Sequence, residues 1–307
     1  MRNIETIYAL GIDVGATKIA GGIVELSDGR VLHSRRVPTL FARGGQAVLD
    51  DTRVLAQELM GIAQANTWNI AGIGIGVPEL VDLQGNVTSE YSIAWRGVPV
   101  QEIFSILAPT VVESDVRAAA LGEAQYGAGR AFDIFLYITV GSGISSCLVL
   151  RGKPYAGARG NALVLANSPL TTICTNCGAE LNPILEDLAA GPALVKRYNQ
   201  IHPHSAVGGQ DVFAAARAGD ADAQRILTRA GEALGNSIGF LVNVMDPEAI
   251  VVGGGLGLAG ELYWESLVHS TRSHIWAETS RDLPILPAAL GENAGIIGAA
   301  AAVYAKS

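Results

Sequence analysis

The polar residues with the clearest chemical potential lie near the start of the chain, in residues 11–18, which read Gly-Ile-Asp-Val-Gly-Ala-Thr-Lys. Apolar runs on both sides predict a β-hairpin with this polar segment at its tip. Gly15 is expected to adopt a positive φ and to direct backbone N–H groups toward an anion. Thr17 and Lys18 add a hydroxyl and an ammonium group, and Asp13 can hold a hydrated Mg²⁺. The segment predicts phosphate binding, although an ordinary hairpin with a charged tip has the same local pattern.

A single carboxylate later in the chain has the position expected of a general base. Residues 110–115 read Thr-Val-Val-Glu-Ser-Asp and predict a short buried strand, and an alanine-rich helix is predicted over 117–126. Asp115 therefore lies where a strand passes into a helix N-terminus, and the helix dipole favours a carboxylate there. Such a carboxylate can accept the proton of a hydroxyl group that attacks a phosphoryl group. Capping of the helix is the alternative role for Asp115, and the two roles are compatible.

A second glycine turn repeats the pattern of the first. Val140-Gly141-Ser142-Gly143 separates predicted strands at 134–139 and 144–150, and the two hairpins lie about 125 residues apart. Three consecutive glycines, 253–255, follow a further predicted strand at 247–252. Duplication of one unit, with a nucleotide bound between the copies, is a recognised architecture. The repeat indicates an α/β nucleotide-binding protein.

The remaining predicted elements complete an α/β chain. In the first half, apolar spacing predicts strands at 30–39 and 70–77 and helices at 45–68 and 99–107. In the second half, it predicts helices at 192–198, 211–218, 221–244 and 294–305 and a strand at 284–289.

The composition excludes several classes of function. The chain has 307 residues, enough for one large or two medium domains, and a formal net charge of −8, which disfavours a nucleic-acid surface. It contains no apolar run of membrane-spanning length and no N-terminal signal-peptide pattern. Three cysteines are too few for a disulfide framework. We therefore expect a cytoplasmic protein without nucleic-acid or membrane partners, and a homodimer as the default assembly.

The order of the hairpin, the strand-end aspartate, the second glycine turn and the triple glycine resembles the ROK family (repressor, open reading frame, kinase) of bacterial sugar kinases. The resemblance extends from about residue 8 to residue 305. It implies an α/β fold of the actin and hexokinase type, with duplicated ribonuclease H-like domains and a cleft between two lobes. The smaller lobe would contain residues 1–115 and 293–307, and the larger lobe residues 116–292. The implied reaction is phosphoryl transfer from ATP to a hydroxyl group of a sugar.

The resemblance also assigns roles to individual residues. Residues 111–123 are similar to the family segment that has Asn-Asp followed by Ala-Ala-Leu-Gly-Glu, which places Asp115 on the general base. Gly253 is grouped with the glycines on the adenosine side. The implied residues for ATP and phosphate are Asp13, Gly15, Thr17, Lys18, Thr139, Gly141, Ser142, Gly143, Gly254 and Gly255, with Mg²⁺ at Asp13.

The departures from the family pattern lie among the sugar contacts. Ser114 replaces an Asn, Glu79 replaces the Gly of a Pro-Gly pair, and residues 163–167 lack the Glu and His of Gly-Glu-x-Gly-His. Asn161 and Asn167 could still offer amide hydrogen bonds, and Glu186 matches a family Glu if two extra residues precede it. The substrate-binding candidates are Glu79, Ser114, Asp115, Asn161, Asn167 and Glu186.

These departures favour a kinase with a changed acceptor over an inactive protein. A site with fewer hydrogen-bonding groups suits a ring that lacks some pyranose features, such as a C7 cyclitol of the valiolone type or a deoxy or amino sugar. Glu79 would favour an acceptor with an extra donor or an ammonium group. A Glu79 side chain that points to solvent beside Pro78 is the alternative.

The metal-binding pattern of the family is incomplete. Family members often hold zinc through a His and Cys-x-Cys-Gly-x-x-Gly-Cys, whereas this chain keeps only Cys174 and Cys177 of that pattern, so we expect no zinc site. His202 and His204 could complete a ligand set, although a solvated loop explains them equally well. Cys147 is expected in the core.

Three other functions are compatible with parts of the pattern. A repressor of the same family would need a helix-turn-helix domain, for which the start of the first strand near residue 7 leaves no room. A sensor that binds a sugar or nucleotide without turnover would explain the altered acceptor residues. An acetate-type kinase or a chaperone-like ATPase would share the fold, but residues 118–123, Ala-Ala-Ala-Leu-Gly-Glu, favour the ROK resemblance.

Overall fold

The computed structural model describes residues 7–170, 172–173 and 176–305. The chain forms two compact units, the first containing Met1–Asp133, Cys147–Ala162 and Ala289–Ser307 and the second containing Ile134–Ser146 and Leu163–Ala288. The described residues form two five-stranded mixed β-sheets with helices, as the α/β two-domain fold of the hexokinase type requires.

The strands and helices form close to their predicted positions. The strands of the described residues are β1 (Tyr8–Val14), β2 (Lys18–Glu25), β3 (Arg30–Pro38), β4 (Ile70–Val77), β5 (Thr110–Ser114), β6 (Ile134–Val140), β7 (Ile144–Leu150), β8 (Lys153–Pro154), β9 (Thr172–Ile173), β10 (Glu180–Leu181), β11 (Ala249–Gly253) and β12 (Ile285–Pro287). The α-helices are α1 (Gly45–Ala65), α2 (Val100–Ser105), α3 (Asp115–Tyr126), α4 (Glu186–Ala189), α5 (Gly191–Ile201), α6 (Gly209–Arg217), α7 (Ala221–Met245), α8 (Glu261–His274) and α9 (Ala294–Ala305).

The sheet of the first unit has the strand order β3-β2-β1-β4-β5. The pairs β1–β2 and β2–β3 are antiparallel, whereas β1–β4 and β4–β5 are parallel. Because β1, β4 and β5 run in the same direction, their carboxyl ends meet at one edge of the sheet, where the polar residues of open α/β sheets usually gather.

Helix α9 packs directly on the backbone of this sheet. A Cβ atom added to Gly11 in β1 would lie 1.8 Å from the carbonyl oxygen of Ile296, and one added to Gly74 in β4 would lie 1.7 Å from that of Ala299. Only glycine permits so close an approach at either strand position. The small-residue composition of α9 is therefore a packing requirement, and the helix forms with the predicted bounds.

The second sheet has the order β12-β11-β6-β7-β8, which corresponds strand for strand to β5-β4-β1-β2-β3. Strand β11 is parallel to both of its neighbours, β6 and β12, and β7–β8 is antiparallel. The duplication indicated by the two glycine turns is thus present in the strand order.

Helix α8 was not predicted from the sequence. It packs against α7 through closely approaching backbones, because a Cβ on Gly231 would lie 2.4 Å from the carbonyl oxygen of Tyr263, and one on Gly235 2.4 Å from that of Leu267. Hydroxyl side chains occupy part of its buried face, at Ser270 among others, so its apolar periodicity is weak.

The unit boundaries differ from the predicted lobe boundaries. The sequence predicts a division after Asp115, whereas the first unit continues to Asp133 and also contains Cys147–Ala162 and Ala289–Ser307. Helix α3 packs closely on α9, since a Cβ on Gly298 would lie 1.9 Å from the carbonyl oxygen of Ala118, and this contact keeps α3 in the first unit. Among the helices of the described residues, none combines the length and apolarity needed to span a bilayer.

Candidate active site

Three carboxylates lie at the carboxyl edge of the first sheet. Asp13 is the penultimate residue of β1, Glu79 follows the end of β4 by two residues, and Asp115 follows β5 directly. The parallel register pairs Asp13 with Gly76 and Val77 with Ser114. The sequence therefore delivers three acidic side chains to the same edge from three parallel strands.

Asp115 has the electrostatics of a base that works near neutral pH. It is the first residue of α3, and its Oδ1 accepts a hydrogen bond from the backbone N–H of Val116 at 2.6 Å. Burial, together with the negative charges of Asp13 and Glu79, raises the pKa of Asp115 to about 7, although the Val116 hydrogen bond opposes the shift. The side chain is only half-buried, so a hydroxyl group can reach it. Its neighbour Ser114, a candidate substrate contact, is buried at the end of β5.

Asp13 shares this environment. Burial raises its pKa to about 6, and the ammonium group of Lys18 partly offsets the shift. The start of α9 lies directly against it, because a Cβ on Gly295 would be 2.3 Å from Asp13 Oδ2. The charge of Asp13 is only partly compensated by Lys18, and a second carboxylate, that of Asp115, is close to it. Such a carboxylate is suited to binding a hard cation such as Mg²⁺.

The tip of the first hairpin differs from the prediction at Gly15. Gly15 does not adopt a positive φ, and its N–H donates to the carbonyl oxygen of Lys18 at 2.9 Å, closing the turn. The expectation of a positive φ at Gly15 is therefore wrong, and the N–H of Gly15 itself is used within the hairpin. The side chains of Thr17 and Lys18 are exposed, and Lys18 Nζ lies 3.8 Å from Glu292 Oε2. The tip therefore presents the side chains of Thr17 and Lys18 to a ligand, while the Gly15 amide is engaged within the hairpin.

Within the second unit, the two remaining glycine turns pack together. The N–H of Gly141 donates to the carbonyl oxygen of Gly143 at 2.9 Å, closing the turn after β6. Gly254 has φ +81°, and a Cβ there would lie 2.3 Å from the carbonyl oxygen of Val140. The positive φ and the close approach both require glycine at position 254. The second turn and the triple glycine therefore form one structure.

All the predicted nucleotide residues of the second unit belong to this structure. Thr139 pairs with Gly253 where β6 and β11 run parallel. Ser142 and Gly255 are exposed, and a Cβ on Gly255 would meet nothing within 4 Å. The residues that share the carboxyl ends of β6 and β11 are Thr139, Gly141, Ser142, Gly143, Gly254 and Gly255.

Two predicted substrate contacts, Glu186 and Asn167, also lie in the second unit. Glu186, the first residue of α4, accepts a hydrogen bond from the N–H of Ile144 at 2.9 Å through Oε2. A Cβ on Gly143 would lie 2.9 Å from the same oxygen, so Glu186 supports the second glycine turn. Asn167 is exposed in a short 3-10 segment.

Glu79 is held by a loop of its own unit. Its side chain is 4% exposed, which excludes the alternative of a carboxylate that points to solvent. Oε1 accepts from the N–H groups of Ser92 and Ile93 at 2.5 and 2.8 Å. Oε2 accepts from the N–H of Tyr91 at 2.9 Å and from the Ser89 hydroxyl. Both oxygens thus carry two hydrogen bonds.

Arg117 is a buried residue near Asp115 whose contacts the sequence did not reveal. Its guanidinium donates to the carbonyl oxygens of Val81 and Gly160, each at 2.6 Å, and pairs with Glu113. Asn161, an exposed candidate substrate contact, directly follows Gly160. Arg117 therefore fixes two loops of the first unit to the start of α3, next to Asp115.

The structure describes two of the three cysteines, and it describes His202. Cys174 lies outside the described residues, and Cys177 is exposed. Cys147 is buried, and burial raises the pKa of its thiol to about 12. His202 lies 3.1 Å from Asp222 Oδ2 through Nε2, in a hydrogen-bonded group that caps α7 through Asp220.

The sequence and the fold match known sugar kinases. The model of the ROK family matches residues 9–306. A glucokinase of Thermotoga maritima is 28% identical over 317 residues, covering 96% of each chain. A glucokinase of Streptomyces coelicolor is 30% identical over 315 residues, covering 95% of this chain and 96% of the relative. A crystal structure of a ROK family glucokinase from Streptomyces griseus, in complex with glucose and AMPPNP, matches with a TM-score of 0.81 and 28% identity, covering 95% of this chain and 98% of that one.

Proposed function

Because this chain belongs to the ROK family, we propose that it is an ATP-dependent kinase that phosphorylates a hydroxyl group of a sugar or sugar-like polyol. The observation that carries the proposal is the half-buried Asp115 at the edge of the first sheet, with its pKa raised to about 7. The similarity to glucokinases supports the general class of sugar kinase. The AMPPNP bound in the Streptomyces griseus glucokinase supports the use of ATP.

In this proposal Asp115 accepts the proton of the acceptor hydroxyl as its oxygen attacks the γ-phosphate. A base with a pKa near the working pH is in large part deprotonated, yet still basic enough to take the proton. Asp115 also lies at the N-terminus of α3, which keeps the carboxylate fixed through the Val116 N–H. Positioning and electrostatics dominate phosphoryl transfer, so a fixed base suits the reaction.

Asp13 is the proposed ligand of Mg²⁺. A magnesium ion bound there would neutralise the developing charge of the transferred phosphate. In the first unit, Thr17 and Lys18 offer a hydroxyl and an ammonium group to a phosphate. In the second unit, the proposed nucleotide contacts are the turns at Gly141–Gly143 and at Gly254, with Thr139, Ser142 and Gly255 beside them.

The acceptor is proposed to lack some features of a common pyranose. Residues 163–167 supply neither the Glu nor the His of the family motif, so the site has fewer hydrogen-bonding groups. A C7 cyclitol of the valiolone type, or a deoxy or amino sugar, would suit such a site. Asn161, Asn167 and Glu186 stay proposed contacts, and the last has one oxygen already engaged by Ile144.

A coupled ADP-release assay tests the proposal. The purified protein is given Mg-ATP with hexoses, N-acetylhexosamines, amino sugars or C7 cyclitols, and Asp115→Asn is assayed in parallel. We expect turnover on at least one acceptor that is lost in the variant, with a cyclitol or unusual sugar preferred. Turnover restricted to glucose would overturn the acceptor proposal and keep the kinase.

A sensor without turnover is the alternative, and the altered segment 163–167 is the observation that favours it. Binding of ATP and a sugar, measured by calorimetry, in the absence of any ADP release across the panel would support the sensor and overturn the kinase.

A further inference from the structure

The buried carboxylate of Glu79 acts as an internal anion for one loop. All four of its hydrogen bonds come from residues 89–93, three of them from consecutive backbone N–H groups. Converging N–H groups of this kind form the concave anion sites that bind phosphates and carboxylates in other loops. Burial of a charge is costly unless it is fully hydrogen-bonded, so the carboxylate and the loop depend on each other.

The loop is also anchored beyond Glu79. The side chains of Ile93 and Trp95 are buried, and the indole N–H of Trp95 donates to the carbonyl oxygen of Gly45 at 2.8 Å. The opposite face of the loop is open, with Tyr91 86% exposed and Ser92 exposed as well. One face of the loop is therefore held by buried contacts and hydrogen bonds. The other face presents an aromatic ring and a hydroxyl group to ligands.

Strand register places this loop at the site of the proposed chemistry. Val77 pairs with Ser114 where β4 and β5 run parallel. Glu79 follows Val77 by two residues and Asp115 follows Ser114 by one, so both carboxylates leave the same edge from neighbouring strands. The loop that wraps the Glu79 carboxylate is thereby held beside the general base.

We propose that Glu79 is a positioning residue that holds the loop of residues 89–93 as a fixed wall of the acceptor site. Through this loop, Glu79 determines which acceptor is bound and with what affinity. This proposal rests on the proposed kinase function. Glu79 acts through the loop, because four hydrogen-bond donors already occupy its two carboxylate oxygens. The direct substrate contact predicted from the sequence would need a lone pair of these oxygens that the loop already uses. The specificity itself would come from the exposed side chains that the loop presents.

Glu79→Gln is the most direct test. Each carboxylate oxygen accepts two hydrogen bonds, so the amide NH₂ faces two donors whichever way it is turned. Glu90→Gln is the matched control, because Glu90 carries the same charge in the same loop but is exposed. Both variants are compared with the wild-type protein by amide hydrogen exchange at residues 91–93 and by steady-state kinetics.

We expect amide exchange at residues 91–93 to become about tenfold faster or more in Glu79→Gln and to stay unchanged in Glu90→Gln. We also expect the KM for the acceptor to rise by about tenfold, while kcat and the KM for ATP change by less than about threefold. We further expect the ratio of the kcat/KM values for two acceptors to differ between Glu79→Gln and the wild-type protein. Such a split between KM and kcat is not produced by a loss of folded protein, which lowers only the apparent kcat.

Four outcomes would overturn the proposal. Unchanged exchange would show that Glu79 does not hold the loop, and an unchanged acceptor KM with faster exchange would show that the loop is no part of the acceptor site. If Glu79→Gln does not fold, Ser89→Ala replaces it as the test, because it removes only one of the four hydrogen-bond donors. Failure of Ser89→Ala to raise the exchange rate or the KM for the acceptor would contradict the proposal. A wild-type protein that phosphorylates no acceptor would overturn the kinase and the acceptor role together, while exchange would still decide whether Glu79 holds the loop.

Discussion

Asp13 and Asp115 lie at the same edge of the first sheet, on either side of the end of β4, and the negative charge of Asp13 adds to burial in raising the pKa of Asp115 to about 7. Two carboxylates so placed disfavour each other's charged forms. A cation and a proton acceptor are therefore both accommodated by this pair, as phosphoryl transfer from a nucleotide requires.

The first prediction concerns the removal of the base. Asp115→Asn keeps the size of the side chain but cannot accept a proton, so kcat should fall by about 10²–10⁴-fold while the KM for ATP changes little. Steady-state ADP release measures both quantities. A variant that keeps more than about a tenth of the wild-type kcat would exclude Asp115 as the base.

The pH dependence follows from the same group. A base must be deprotonated to act, so kcat/KM should fall as the pH decreases through the Asp115 pKa of about 7, by about tenfold for each further pH unit. A profile between pH 5 and 9, with the coupling enzymes in excess, measures this limb. A rate that is constant from pH 5 to pH 8 would contradict the assignment.

The raised pKa also predicts how stability depends on pH. The folded state binds the Asp115 proton more tightly than the unfolded chain, whose Asp titrates near 3.8, so the charged carboxylate costs stability as the pH rises from about 4 to about 7 and no more above that. Asp115→Asn removes this cost. We expect the variant to be more stable than the wild type at pH 8, by on the order of 3 kcal/mol after a discount for the solvent contact that Asp115 retains, and nearly equal to it at pH 4.

Urea unfolding of both proteins at the two pH values, in EDTA and without nucleotide, checks this sign. Loss of the Asp115 charge also favours the charged form of the neighbouring Asp13, which changes the stability of the variant at pH 8 in the same direction. Equal stability of the two proteins at pH 8 would show that burial does not penalise the Asp115 charge.

The buried Arg117 should contribute stability and not chemistry. Arg117→Gln removes the ion pair with Glu113 and the guanidinium hydrogen bonds to the carbonyl oxygens of Val81 and Gly160. Loss of one partner of a buried ion pair costs about 3–5 kcal/mol, so the midpoint of urea unfolding should fall sharply. Arg53→Gln, which breaks an exposed pair with Asp50, should leave the midpoint almost unchanged. Equal effects of the two substitutions would refute this role.

Local patterns were sufficient to predict much of the fold. Asp115 was placed correctly because the strand and the helix that flank it are adjacent in sequence, and the duplicated glycine turns predicted the duplicated sheet. Contacts between distant loops were not predictable. The donors to Glu79 lie ten to fourteen residues along the chain, and the carbonyl partners of Arg117 lie 36 and 43 residues away.

The errors have the same origin. The conformational freedom of Gly15 allowed a positive φ, but the hairpin register uses its N–H for the carbonyl oxygen of Lys18. Helix α8 was missed because Ser270 and Thr271 occupy part of the face that it buries against α7, which weakens its apolar periodicity. In both places the packing partner, and not the local propensity, decides the structure.

The last prediction tests the proposed Mg²⁺ ligand through its neighbour. Gly295→Ala places a Cβ 2.3 Å from Asp13 Oδ2 and 2.4 Å from its Cγ, so the Asp13 carboxylate must move. We expect the Mg²⁺ concentration for half-maximal activity to rise by about tenfold or more, since a displaced carboxylate loses its place in the coordination of the ion. Gly61→Ala is the matched control in helix α1, where a Cβ would meet nothing within 4 Å, and it should stabilise the protein slightly without changing the Mg²⁺ dependence. An unchanged Mg²⁺ requirement in Gly295→Ala would mean that Asp13 does not hold the ion.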